Sequence, residues 1–224
     1  MKTIKLGPTN IYLLNVNNGY LLIDTSYPDK YELFVQKLNE ININISEIKY
    51  LLLTHHHNDH AGFAAELVKN SGAKIIVHEA AISYLETGRM NPNSKVLNLR
   101  LKILLKLMSL FIRSTYPPVT LKDIDYIIND DTFNLLKETG LNGSILHTPG
   151  HSADSISLLL ADGSAFVGDA ATNLPPVLGA KYKPILIQNM TSVYRSRQKL
   201  ISSGAKEIFP AHGKPFPAEK LRYY

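Results

Sequence analysis

The sequence predicts an α/β (α+β) fold in which helices flank two β-sheets, a four-layer αββα sandwich. Three observations carry this expectation. Short apolar or alternating runs recur between helical stretches along the chain. With 224 residues and 45 % hydrophobic content, there is material for one good core and not for two full domains. Finally, four loops bearing histidine or aspartate each begin just past an expected strand, which would gather them along one sheet edge.

Taken in order, Met1 to Leu6 alternates lysines with apolar residues and reads as an edge strand. Ile11–Val16 and Tyr20–Ile23 form a hairpin through Asn17-Asn18-Gly19, a strong turn signal. A helix over Asp29–Leu38 follows, then the continuous apolar run Ile48 to Leu53, the mark of a strand buried on both faces. Ala61 to Asn70 reads as a helix, with Phe63 and Leu67 on one side. Strand Lys74–Val77 and helix Ala80–Glu86 come next. After a departure in the middle of the chain come strands Thr132–Leu136, Ser144–Leu146 and Ser155–Leu160. A turn at Asp162-Gly163 leads into Ser164–Val167, and Met190–Ser203 is a helix ended by Gly204 before strand Glu207–Phe209.

The bulk numbers exclude several classes. No stretch has the apolar core of a signal peptide or the length to span a bilayer, so no transmembrane segment is expected and a cytoplasmic location is the default. There is no cysteine, hence no disulfide staple and no thiol nucleophile. The formal net charge is +5, a mild excess without the basic cluster that a phosphate backbone demands, so no nucleic-acid partner is expected.

The chemistry concentrates in Thr54-His55-His56-His57-Asn58-Asp59-His60, a strand-to-helix loop with the spacing H-x-H-x-D-H. Imidazole nitrogens suit zinc and other first-row metals, and a carboxylate adds a harder oxygen donor. Uncharged buried imidazoles need a hydrogen-bond partner or a metal, so core packing explains such density poorly. In an irregular loop His55 and His57 can converge on one ion while Asp59 and His60 turn to another; His56 lies between and points away. Three more loops add to the set: Pro149 and Gly150 present His151, Gly168 precedes Asp169, and His212 stands before Gly213. His78 and His147 are expected to hydrogen-bond near the site instead of ligating.

The motifs H55-x-H57-x-D59-H60, H151 in HTPGH, D169 in GDA and H212 in PAHG, in this order, resemble the metallo-β-lactamase-fold (MBL-fold) hydrolases over nearly the whole chain. That resemblance implies one domain spanning residues 1–224 and a cofactor of two divalent metal ions, zinc first, with iron or manganese accepted by the same donors. It implies that His55, His57 and His151 hold the first ion, that Asp59, His60 and His212 hold the second, and that Asp169 bridges them. Asp24, at the end of strand Tyr20–Ile23, matches a family position that supports the ligands from behind, and is also a natural strand-ending turn residue. The expected activity is hydrolysis of a small-molecule ester, lactone, thioester or phosphodiester by a metal-bridging hydroxide, with Asp59 as the catalytic residue that also orients it.

Some branches of the family fit poorly. Cysteine-bearing β-lactamases need a ligand absent here, and other β-lactamases lack the bridging Asp. Glyoxalase-type thioesterases carry a helical domain beyond the last ligand, where 12 residues follow His212. Acyl-homoserine lactonases carry a catalytic Tyr where this chain reads Ala170-Ala171-Thr172-Asn173. The alternatives kept open are a mononuclear iron enzyme of the persulfide-dioxygenase kind and a non-catalytic metal-binding protein.

A helical insert at about residues 87–124 is expected to set the substrate. Ser94 to Arg113 reads as one helix N-capped by Ser94. At a helical 100° per residue, Lys95, Lys102, Lys106 and Arg113 fall within about 40° of one another, and the remaining face is broadly apolar. Such a face suits core packing or a homodimer contact, a cap over the metal site, or a membrane-surface element.

Overall fold

The computed structural model describes residues 1–110, 114–134 and 139–222. Its first sheet has the order β1-β2-β3-β4-β5-β7, built from Lys2–Leu6, Thr9–Val16, Gly19–Ile23, Ile48–Leu52, Lys74–His78 and Tyr126–Ile128. The β1–β2–β3 part is an antiparallel meander. Asn17 and Asn18 form the two-residue turn of its second hairpin, with Asn18 at φ 64° and Gly19 at φ 147°. From β3 to β7 the strands run parallel.

The second sheet has the order β14-β13-β11-β10-β9-β8: Phe216–Pro217, Glu207–Pro210, Ser164–Gly168, Ile156–Leu160, Gly143–His147 and Thr132–Asn134. All its pairings are antiparallel except β11 with β13. The strand expected to reach Leu136 is described to Asn134; Leu135 and Leu136 lie outside the described residues.

Alternation along the strands sorts three layers of apolar contact. Tyr12, Leu14, Leu21, Ile23, Leu52 and Ile76 face inward from the first sheet and meet Ile145, Leu158, Phe166 and Phe209 from the second. The Phe166 and Phe209 rings stack at 5.0 Å, and Tyr12 meets Phe166 edge-on. The opposite residues of the first sheet, among them Leu13, Leu22 and Leu51, pack under α1 (Tyr31–Glu40), α3 (Ala64–Ser71) and α4 (Ile82–Thr87). The outer face of the second sheet, with Ala165, Val167 and Ile208, packs on Leu200 of α6 (Met190–Ser202). The result is the αββα order of layers.

Two expected helices differ in detail. The helix read from Ala61 to Asn70 is split: α2 spans Asn58–Ala61 and α3 restarts at Ala64. At the break, Gly62 brings backbone so near that a Cβ there would lie 2.3 Å from the carbonyls of both Asn58 and Ser26. The helix read from Ser94 to Arg113 begins only at Leu99, as α5 (Leu99–Met108). Asn98, not Ser94, is its N-cap and accepts from the Leu101 N–H. Ahead of it, Lys95–Val96 (β6) pairs with Leu186–Ile187 (β12), which draws these residues out of helical geometry. Phe111, Ile112 and Arg113 lie outside the described residues.

Candidate metal centre

All seven donors expected from the sequence meet at one end of the seam between the sheets. Four come from the loop and short helix after β4, and His151, Asp169 and His212 each follow a strand of the second sheet. Donor atoms of His55, His57 and His151 lie within 4.8 Å of one another, and those of Asp59, His60 and His212 form a second such group. Asp169 faces both: Oδ1 lies 3.6 Å from His60 Nε2 and 3.3 Å from His212 Nε2, and Oδ2 lies 3.9 Å from His151 Nε2.

Asp24 holds the loop from behind. Its carboxylate accepts from the Thr54 N–H and Thr54 Oγ1, each at 2.7 Å, and contacts His60 Nδ1 at 2.8 Å. Its backbone is left-handed, φ 60°, a conformation that Asp adopts more readily than most residues. Gly168 closes on the same threonine; at φ 51° its missing Cβ would lie 2.3 Å from Thr54 Oγ1. That close approach sets the position of Asp169.

The network assigns the ring protons, as the partners of each nitrogen dictate. Thr54 Oγ1 donates its one proton to Asp24, so at 3.1 Å it accepts from His55 Nδ1. His55 Nε2 is then a bare lone pair. His151 Nδ1 donates to the Leu186 carbonyl at 2.8 Å, so its Nε2 is bare as well. Those two lone pairs stand 3.0 Å apart, with His57 Nδ1 another 3.1 Å from His151 Nε2. Facing lone pairs repel unless a cation sits between them.

Charge separates the two groups. Burial, reinforced by the neighbouring rings, pushes His55 and His57 well below the ordinary histidine value, and burial lowers His151 too. These three are neutral imidazoles, the form that binds metals. Around the second group burial also opposes charge, but the carboxylates win. Asp59, Asp24 and Asp169 raise His60 to about 9, and Asp169 and Asp59 raise His212 to about 10. The Asp59 carboxyl is held far below its usual range because His60 and His212 outweigh the cost of burial. His212 Nδ1 is held by the Pro8 carbonyl at 3.0 Å, which leaves Nε2 toward the carboxylates. His60 Nε2 and Asp169 Oδ1 are buried with no hydrogen-bond partner. Orphaned polar atoms of this kind call for a ligand, and this set of nitrogens and carboxylate oxygens fits divalent metal ions.

His56 points away, as expected, into a pairing that sequence reasoning missed. Its N–H and Nδ1 both meet the Asp154 carboxylate, at 2.8 and 2.9 Å, and both side chains are 1 % exposed. The ring stacks on Tyr84 at 4.2 Å, its Nε2 accepts from the Asn91 N–H, and its carbonyl accepts from the Tyr116 hydroxyl at 2.6 Å. The signal lay in Asp154, three residues past His151, although nothing local pairs it with position 56. His78 and His147 stack on each other at 4.0 Å; His78 Nδ1 caps Ala80 and His147 Nε2 meets the Ala153 carbonyl at 2.8 Å.

Above the donors lies a cavity of about 240 Å³. His57, Asp59, Asp169 and His212 form its floor, and Met90, Leu105, Met108, Ile185 and Leu186 give it apolar walls. Tyr27 stands beside the floor; burial and the Asp59 and Asp169 carboxylates push its phenol above its ordinary value. Leu101 of α5 is buried and Leu105 and Met108 line the cavity, while Leu99, Ile103, Leu107 and Leu110 on the other face are 70, 55, 57 and 74 % exposed. No helix among the described residues is long and apolar enough to cross a membrane.

Comparison with known proteins agrees with this geometry. The model of the metallo-beta-lactamase superfamily matches residues 4–212. Among curated relatives, the Beta-lactamase-like protein 2 homolog of Drosophila melanogaster is 24 % identical over 98 % of this chain and 64 % of its own length. A hydroxyacylglutathione hydrolase of Haemophilus influenzae is 30 % identical over 62 % of this chain and 55 % of its own. The chain thus spans less than two thirds of either relative. Among solved structures, a B3 metallo-beta-lactamase with an active site glutamic acid aligns with a TM-score of 0.67 at 17 % identity, covering 98 % of this chain and 84 % of that one. The Rm3 metallo-beta-lactamase aligns at 0.66 and 19 %, covering 94 % and 74 %.

Proposed function

Since this chain belongs to the metallo-beta-lactamase superfamily, we propose that it is a dinuclear metal-dependent hydrolase acting on a small ester, lactone, thioester or phosphodiester. The observation that carries the reading is the convergence of five imidazoles and two carboxylates on one buried point, with the ring nitrogens of His55, His57 and His151 facing one another. His55, His57 and His151 would hold one ion, Asp59, His60 and His212 the other, and Asp169 would lie between them. Such a pair supplies Lewis acidity toward a carbonyl or phosphoryl oxygen and a source of hydroxide near neutral pH.

The chain's own residues do the positioning. Asp24, the Leu186 carbonyl and the Pro8 carbonyl each engage the Nδ1 of a histidine, at His60, His151 and His212, and so keep the Nε2 lone pairs on the cavity side. Asp59 lines the cavity floor, and in this reading it would orient the attacking water and accept its proton. The name of the Haemophilus relative, a hydroxyacylglutathione hydrolase, supports a thioester within that range.

The test is metal analysis of purified protein together with a screen of lactones, thioesters, phosphodiesters and β-lactams. Two equivalents of zinc or manganese per chain and turnover that collapses in Asp169→Ala support the reading. Turnover undiminished in that variant would overturn it, as would a single bound iron with oxygen consumption.

A further inference from the structure

Building on the hydrolase reading, we infer that the substrate is a neutral acyl compound, an ester, thioester or lactone, with an apolar arm that lies against Met90, Leu105, Met108 and Ile185, and that Tyr27 donates a hydrogen bond to its carbonyl oxygen. Three observations lead there. The cavity is two-faced: the histidines and carboxylates are collected on the floor, and its walls are mainly methionine and aliphatic side chains, with Ser109 and Ser114 as the uncharged polar exceptions. A substrate filling it therefore needs a reactive polar end and an apolar remainder.

Among the described residues, the walls also carry no charged side chain. Among the described residues lining the cavity there is no lysine or arginine, and Lys102 and Lys106 of the helix that forms the wall are exposed. A charged group on the substrate's arm, buried against those walls, would forfeit its hydration without a cationic partner on them, whereas an uncharged arm loses little.

Tyr27 is the one hydroxyl-bearing aromatic among the described residues on this cavity, beside Asp59 and Asp169 but carrying no ligand atom of either donor group. A phenol with an ordinary pKa near 10 is protonated at neutral pH, and so it can donate. In the reaction, water oxygen bonds to the acyl carbon and the bond from that carbon to the ester oxygen or thioester sulfur breaks. One water proton goes to the leaving group and the other is shed by the new carboxylic acid. Negative charge develops on the carbonyl oxygen in between, where a fixed donor has most effect.

The experiment measures kcat and KM of the metal-loaded protein on p-nitrophenyl acetate, butyrate, hexanoate and octanoate, with bis-p-nitrophenyl phosphate as the anionic comparison. In parallel, octanoate is titrated against protein carrying the dye anilinonaphthalene sulfonate. Each methylene that finds wall raises kcat/KM by up to about fourfold, so hexanoate should exceed acetate by tenfold or more, and octanoate should displace the dye. Leu105→Ser should flatten the chain-length series and weaken displacement together. Tyr27→Phe should lower kcat by about a hundredfold and leave the chain-length series and displacement as they were. Hydrolysis without chain-length preference, or a preference for the phosphodiester, overturns this assignment and leaves the hydrolase reading standing. Octanoate displacing the dye with no turnover of any substrate class overturns the hydrolase reading and leaves the apolar cavity assignment standing.

Discussion

Removing the Asp154 carboxylate should loosen the histidine loop without touching a donor. In Asp154→Ala the His56 N–H loses its acceptor in a buried setting, which costs about 1–3 kcal/mol for the unsatisfied group. The bond to His56 Nδ1, 2.9 Å long and made to an ionised carboxylate, contributes about 1.5–3 kcal/mol more. Overlap between the two brings the expected loss to about 3–5 kcal/mol, the range found when one member of a buried pair is deleted. The assay is urea unfolding in chelator, where metal binding does not enter. Asp154→Asn, which keeps one acceptor and the shape, should lose less. The pH dependence has a definite sign. Burial raises the Asp154 carboxyl, but the hydrogen bond and charge of His56 outweigh that and leave it below its usual value. A depressed carboxyl pKa contributes stability above about pH 4 that is lost as pH falls, so the gap between wild type and Asp154→Asn should close on acidification. A loss under 1 kcal/mol for the alanine variant, or a gap that widens toward low pH, would mean that the His56–Asp154 pair does not stabilise the loop.

Other outcomes follow from the same geometry. Asp24→Asn retains a residue that tolerates the left-handed backbone and removes the charge behind His60; metal affinity of the group that includes His60, read by competition with a chromogenic chelator, should fall about 10–100-fold. Gly168→Ala places a methyl 2.3 Å from Thr54 Oγ1 at φ 51°, so it should cost about 1–3 kcal/mol in denaturant and lower metal retention with it. Chelation should lower the melting temperature reversibly; metal at a thousandfold excess over Kd adds about 4 kcal/mol to the folded state. A melting curve unmoved by chelator would count against any bound ion.

The sequence made some of this readable and hid the rest for physical reasons. Strands were legible because β2 to β5 and β9 to β11 are short apolar runs with turn residues between them, and the Asn17-Asn18-Gly19 hairpin falls where its turn chemistry puts it. The seven donors were legible because each sits within a few residues of a strand end, so the parallel and antiparallel ladders deliver them to one edge. The start of α5 was not. Ser94 and Asn98 are both good caps, and the choice was made by β6 pairing with β12, some ninety residues away. The His56–Asp154 bond is hidden for the same reason: its partners are 98 residues apart and neither has a local signature. The split of α2 from α3 depends on Gly62 meeting the Ser26 carbonyl, a contact that helical periodicity does not encode.

The apolar walls and the donors are carried by different tracts, with consequences for how such a protein diversifies. The donors ride on strand ends locked into two six-stranded sheets. The helix supplying Leu105 and Met108 is held by the buried Leu101, by the two-residue ladder ahead of it, and by Asn98 and Arg100 reaching the backbone of residues 177–179. On the proposed hydrolase reading, exchange of that tract would change which molecule is admitted and leave the reactive end as it was. On that reading, small edits in one peripheral helix would redraw the guest list without disturbing the side chains beneath it.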